Sequence, residues 1–233
     1  MYKIKLFEEF KSSTLNINNS EYDNYYNTHK TKKRHDIVAW GVEGSQEKNF
    51  KLVSKYIKNN DSLLDYGCGI GDLISYLNTN NIEIKDYLGV DINNNFINMA
   101  KETYPDNNFK LINNVNQING KWDIITAVGV FTWFIDRDDF IETINKLHDL
   151  SNKEVLITCL YGNEFWDYDD ESDYSFDDNG NYIYEEGELV ENESYWEYQY
   201  RNYDENMFKY LFPNLKMEFD HNSSDTMLVR IIK

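Results

Sequence analysis

At 233 residues, the chain is long enough for one α/β domain with additions and short for two full domains. Its 41% hydrophobic and 16% aromatic content excludes wholesale disorder, and no stretch approaches the roughly 18 uninterrupted apolar residues of a membrane-spanning helix. With 41 acidic against 23 basic residues the net charge is -18, which sets the chain against phosphate backbones and anionic lipid surfaces. The start, Met1-Tyr2-Lys3-Ile4-Lys5, leads into no signal-peptide core. Cys68 and Cys159, 91 positions apart, suit neither a disulfide framework nor a zinc site, so a cytoplasmic protein with two buried thiols is expected.

Residues 1–34 are polar, Asn-rich and end in the basic cluster Lys30, Lys32, Lys33 and Arg34; they read as an N-terminal extension or lid, with the main domain at 35–233. A helix is expected from Ser45, which offers an N-cap, with Phe50, Val53, Tyr56 and Ile57 along one stripe. Strand-like and helix-like segments then alternate. Residues 62–66 form a strand, a Gly-rich turn follows, and Leu73, Ile74 and Leu77 mark a helix before a second strand at 86–92. A helix with Phe96, Ala100 and Tyr104 comes next, then strands at 109–112 and 122–130, a helix capped by Asp138 with Phe140, Ile141, Ile144 and Leu147, and a strand at 155–160. Five alternating strands predict a parallel, doubly wound sheet.

The alternation breaks at about 162–203. Residues 161–200 hold fourteen Asp or Glu, no Lys or Arg, and twelve aromatics, so most of the net charge is concentrated here. Tyr174, Phe176, Asn179-Gly180, Tyr182 and Tyr184 alternate about a type I′ turn, which predicts a β-rich insertion. A short helix at 204–212, stopped by Pro213, precedes two strands at 215–219 and 226–232 that can pair as an antiparallel hairpin. The expected fold is thus α/β, Rossmann-like and doubly wound, with a mostly parallel seven-stranded sheet, an antiparallel C-terminal hairpin and the acidic insertion.

Chemistry concentrates in Asp65-Tyr66-Gly67-Cys68-Gly69-Ile70-Gly71-Asp72, where a strand runs into three alternate glycines and then a helix. Such a turn lets a ligand lie against bare backbone amides near a helix N-terminus. A dinucleotide fingerprint needs glycine at the place of Asp72, whose carboxylate would repel a pyrophosphate, and a P-loop needs Gly-Lys-Ser/Thr; both are missing. A nucleoside without phosphates remains. Asp91, 20 residues beyond Gly71 and ending the second strand, has the usual offset of an acid that grips a ribose diol, and Asp65 can face a cationic amino group or order the turn.

These residues resemble the class I S-adenosylmethionine-dependent methyltransferases, whose first motif is an acid followed by Gly-x-Gly-x-Gly and whose second ends in a ribose-binding acid. The resemblance covers about residues 45–160 and, more weakly, the last thirty. It implies S-adenosyl-L-methionine as cofactor, with its methionine end against Asp65, Tyr66, Gly67, Gly69, Gly71 and Asp72, its ribose on Asp91 and its adenine against Ile92. Adenine contacts in the family often come from an Asp after the third strand; here Asn113-Asn114 stand in that place, and an amide oxygen can still accept from the adenine amino group. The fourth strand would end at Val128 beside the transferred methyl. Residues 35–50 also resemble the lead-in of some small methyltransferases of unassigned substrate. The signature of amino-methylating DNA enzymes, Asn/Asp-Pro-Pro-aromatic, is replaced here by Val-Gly-Val-Phe-Thr-Trp.

The expected activity is methyl transfer to an oxygen or nitrogen of a small molecule or protein. Trp40, Phe131 and Trp133 are the candidate pocket walls, and His35, Tyr25 or Tyr26 the candidate bases where a proton must be removed. No metal is expected: Asp136, Asp138 and Asp139 suit the start of a helix, and the four histidines are scattered. Two alternatives stand beside this reading: a non-catalytic binding or assembly subunit of the same fold, and an RNA methyltransferase whose basic partner supplies the electrostatics. A membrane partner or direct nucleic-acid binding is not expected, whereas a basic protein could dock at the acidic insertion.

Overall fold

The computed structural model describes residues 27, 29–38, 44–131, 137–161, 203, 205–221 and 226–233. The elements are α1 (Arg34–Ile37), α2 (Ser45–Ser54), β1 (Ser62–Tyr66), α3 (Asp72–Thr79), β2 (Asp86–Asp91), α4 (Asn94–Thr103), β3 (Asn108–Leu111), a 3₁₀ turn (Val115–Gln117), β4 (Trp122–Val128), α5 (Arg137–Leu150), β5 (Ser151–Leu160), α6 (Glu205–Leu211), β6 (Lys216–His221) and β7 (Thr226–Ile232). The strands form one seven-stranded sheet in the order β3-β2-β1-β4-β5-β7-β6. Five run parallel, and β7 lies antiparallel between β5 and β6. The order reverses at β1 and β4, the switch point outside which doubly wound sheets hold ligands.

Strand alternation sorts side chains into two cores. On one face Leu63, Tyr87, Ile124 and Leu156 pack under Phe50, Val53 and Ile57, Leu73, Ile74 and Leu77 of α3, and Ile97 and Ala100 of α4. On the other Leu64, Ile125, Ala127, Val155 and Ile157 meet Phe140, Ile144 and Leu147 of α5 and Phe208 of α6. Ala127, Ile157 and Val229 are fully buried in neighbouring strands, as a sheet covered on both faces requires.

Some boundaries differ from the sequence-based expectation. Gly44, with φ 84°, caps α2 in place of Ser45, whose carbonyl accepts from the Asn49 side chain at 3.0 Å. Asn93 caps α4 by accepting from the amides of Asn95 and Phe96. Asp138 falls inside α5, whose first helical residue is Arg137. β4 ends at Val128, and Gly129 follows at φ 69°. β5 starts at Ser151, four residues before the apolar run, because Ser151 pairs with Trp122 and Glu154 with Ile124. The boundary placed at residue 34 runs through the first residue of α1. The hairpin expected at 174–184 lies outside the described residues.

Leu160 and Tyr203, far apart in sequence, meet where the Tyr203 amide donates to the Leu160 carbonyl at 2.9 Å. That place is the C-terminal end of β5, the edge at which the glycine turn also lies.

Candidate functional site

β1 delivers Asp65 and Tyr66 to opposite faces before the chain turns through Gly67, Gly69 and Gly71, all left-handed at φ 73°, 54° and 82°. A Cβ on Gly67 would stand 2.3 Å from Val130 Cγ2, and one on Gly71 2.9 Å from the Tyr104 ring, so both glycines are required by packing as well as by conformation. A Cβ on Gly69 would meet Val38 at 3.1 Å.

The amides of this turn are mostly spent within the protein. Gly67 and Cys68 both donate to the Val90 carbonyl, at 2.8 and 3.0 Å, Gly71 donates to the Cys68 carbonyl, and Gly69 donates to Asp91 Oδ2 at 2.9 Å. The expectation that a ligand rests on bare amides is corrected accordingly. With these four amides committed, less of the turn's N–H surface is open to a ligand, and the charges beside it are the Asp91 and Asp72 carboxylates and the Arg34 guanidinium, whose terminal nitrogen is 3.3 Å from the Ile70 carbonyl.

Asp91 ends β2 half-buried, with Oδ2 on the Gly69 amide and Oδ1 accepting from the Asn93 amide at 2.8 Å. Burial raises its pKa, and the hydrogen bonds from Asn93, Gly69 and Ile92 oppose that rise. A carboxylate has about four lone-pair sites, so both oxygens can still accept from hydroxyls after these bonds. Ile92, next along, is 38% exposed at the strand end, where a flat apolar ligand could cover it.

Asp65 is 3% exposed and accepts from the Tyr87 hydroxyl and the Thr126 hydroxyl, each at 3.0 Å. It neither faces outward nor bonds the turn amides. Burial lifts its carboxyl to about 7 against those two hydrogen bonds, and the Asp91 charge adds to the lift. Tyr66 turns to the α5 face, buried in the core with its hydroxyl pushed up to about 12 by burial and hydrogen-bonded to Thr143, so only its backbone borders the turn. Asp72 opens α3 and is ion-paired to Arg34 at 2.5 Å.

Beyond β3 the two asparagines divide their work. Asn114 Oδ1 accepts from the Asn116 amide at 2.7 Å and caps the 3₁₀ turn, which commits that oxygen locally. Asn113 is exposed, and its amide donates to Gln117 Oε1 at 2.8 Å. Val128 ends β4 half-buried. Phe131, expected as a pocket wall, is fully buried: it packs edge-on to Phe140 at 5.1 Å, and its carbonyl accepts from the Tyr203 hydroxyl at 2.7 Å. Aromatic residues distant in sequence draw it into the core; Val130, over Gly67, lines the turn instead.

Of the candidate bases, His35 sits in α1 with Nε2 3.4 Å from Asp36 Oδ1. Tyr25, Tyr26, Trp40 and Trp133 lie outside the described residues. Arg34, read only as part of a basic lid cluster, Val130, read only as part of the β4 end, and Val38, which no motif marked, all flank the turn; Arg34 does so through contacts 36 to 70 positions away, which no local periodicity reports. A cavity of about 350 Å³ lies between α2 and α3, bordered by Arg34, Asp72, Phe50 and Tyr76, on the helix side of the turn.

The chain was compared with known proteins. A family model described as a methyltransferase domain matches residues 42–211, well over half of the chain. A protein of Invertebrate iridescent virus 6 carrying the provisional name methyltransferase 235L is 28% identical over 135 residues, 53% of this chain and 50% of that protein; the chain thus spans about half the length of the curated relative it matches. Among solved structures, magnesium protoporphyrin IX methyltransferase from Synechocystis PCC 6803, with bound S-adenosylmethionine, superposes with a TM-score of 0.59 at 11% identity, covering 96% of this chain and 100% of that one. The 1,6-didemethyltoxoflavin-N1-methyltransferase of Burkholderia thailandensis superposes with a TM-score of 0.60 at 12% identity, covering 92% and 86%. These likenesses show the fold. Taken with the strand order, the glycine turn and the acid closing β2, they place the chain: it belongs to the methyltransferase-domain family, with the fold of the class I S-adenosylmethionine-dependent enzymes.

Proposed function

We propose that the chain binds S-adenosylmethionine across the β1 and β2 ends and transfers its methyl group to an oxygen or nitrogen of a small molecule or protein. One observation carries this reading: the Gly69 amide and Asp91 are locked together at 2.9 Å, so the turn and a hydroxyl-binding carboxylate form one preorganised unit whose charge suits a cation. The residues fit the group. Asp91 would hold the ribose hydroxyls, Ile92 the adenine face and Asn113 the adenine edge, while Gly67 to Gly71 keep side chains away from the methionine end. The cofactor supplies an electrophilic methyl on a sulfonium; the protein's work is to hold the acceptor in line and keep water out.

The acceptor class follows from charge. The segment 161–202, with fourteen acids in its first forty residues, follows directly on β5, the strand paired with β4, whose end at Val128 is the expected acceptor side. A polyanion is repelled there, which supports a neutral or basic acceptor over RNA. A basic protein held at this segment is the partner that the charge favours.

Calorimetry with S-adenosylmethionine and its demethylated product tests the first half. Asp91→Ala is expected to weaken binding roughly 10- to 100-fold, the loss of a charge-assisted hydrogen bond or two. Unaltered affinity in that variant would overturn the site. Methyl-donor turnover on extracts separated into small-molecule, protein and RNA fractions tests the second half, and methylation of the RNA fraction alone would overturn the acceptor class.

A further inference from the structure

We propose that Arg34 is a positioning residue that latches α1 over the glycine turn, and that opening this latch governs how fast the demethylated cofactor leaves. The proposal rests on the cofactor reading above and not on the acceptor class.

α1 is a single turn of four residues, too short to persist without tertiary contacts. It is anchored by two kinds of contact. Ile37, 4% exposed, packs with Ile70 of the turn and Phe96 of α4, and Val38 lies over Gly69. Arg34 does the rest with one guanidinium. Its Nε donates to Asp72 Oδ1 at 2.6 Å, and its terminal nitrogen is 2.5 Å from the same oxygen, 3.3 Å from the Ile70 carbonyl and 3.3 Å from the Tyr104 hydroxyl. The guanidinium carbon also stands 5.8 Å from the Tyr104 ring centre. A planar fork can reach the turn, the start of α3 and the end of α4 together; a lysine has one point charge for the same task.

Covering and binding are joined at Gly69. Val38 lies above this residue, and its amide holds the carboxylate assigned to the ribose. A ligand seated against the unit of turn and Asp91 therefore lies beside the flank that α1 occupies, and α1 must shift for it to exit. The latch is built to open. Arg34 is 44% exposed, so water and salt weaken its ion pair, whereas the Asp72 side chain is only 13% exposed and stays in place at the α3 N-terminus, where the helix dipole favours a carboxylate.

The test is a double-mutant cycle on the full chain with Arg34→Met, Asp72→Asn and the pair, read by stopped-flow release of S-adenosylhomocysteine, its calorimetric Kd and the thermal midpoint. Each single variant is expected to release the ligand about tenfold faster, the double no faster than either single, with midpoints within about 3 °C of the parent. Added salt should speed release from the parent and leave Arg34→Met unchanged. Arg34→Lys, which keeps the charge without the fork, should fall between them and serves if the methionine variant does not fold. Additive effects in the cycle, or release rates equal to the parent's, overturn the latch while leaving the cofactor reading intact. Failure of the parent to bind S-adenosylhomocysteine at all overturns both.

Discussion

The two halves of the sheet edge are built by opposite strategies. Around β1 and β2 the site is made of residues adjacent in sequence: glycines set the backbone, and an acid 22 positions on receives the Gly69 amide. Around β4 and β5, residues that look like a pocket wall are consumed by long-range packing, as Phe131 is by Phe140 and Tyr203. Local backbone geometry constrains the cofactor half, so it tolerates few residue types. The half proposed to receive the acceptor is constrained by packing, which many apolar combinations satisfy and which leaves chemistry free to vary.

The sharpest attack on this contrast is Gly67→Val. It forces a β-branched residue to positive φ and drives its Cβ into Val130, and it should cost about 3 kcal/mol or more, lowering the thermal midpoint by roughly 10 °C. A midpoint within 2 °C of the parent would show that the turn is more pliable than its φ values indicate.

Asp65→Asn probes the same half through pH. The folded carboxyl sits near 7 against an ordinary 3.8, so the folded state binds the proton more tightly than the unfolded chain does. Stability from this group is complete below about pH 4 and is lost as pH rises through about 7. Asparagine does not titrate, so the variant should match the parent at pH 4 and exceed it by about 1–2 kcal/mol at pH 8, read from urea midpoints. An unchanged pH slope would assign the titration to another group.

Tyr203→Phe tests the acceptor half. It removes the hydroxyl's bond to the buried Phe131 carbonyl and should cost about 1 kcal/mol of stability while the Kd for S-adenosylhomocysteine stays within twofold. A tenfold change in that Kd would mean that the two halves are not separable.

Legibility in the sequence follows the same division. β1 at 62–66 and β7 at 226–232 are readable to the residue, because their apolar runs, Leu63-Leu64 and Met227 to Val229 with Ile231-Ile232, lie in strongly polar surroundings. The β5 start was not, since Ser151, Asn152, Lys153 and Glu154 carry no apolar signal; Glu154 belongs to the sheet through its pairing with Ile124 and Ile232 and its ion pair with Arg230. The position of the glycine turn is legible, but the commitment of its amides is not: three of the four bonds go to backbone carbonyls, which a sequence does not display. Asn114 shows the limit most plainly, because an amide that can recognise adenine and an amide that caps a 3₁₀ turn look identical until the loop is folded.

The single bond between the Tyr203 amide and the Leu160 carbonyl has a consequence for how such a protein can diversify. Two chain ends held this close make a change in the length of the stretch between them inexpensive: doubling a flexible loop adds only about 0.6 kcal/mol of closure entropy. Exchange of that one contiguous stretch therefore alters the chain's charge without touching a residue of the glycine turn or of the strand that carries Asp91.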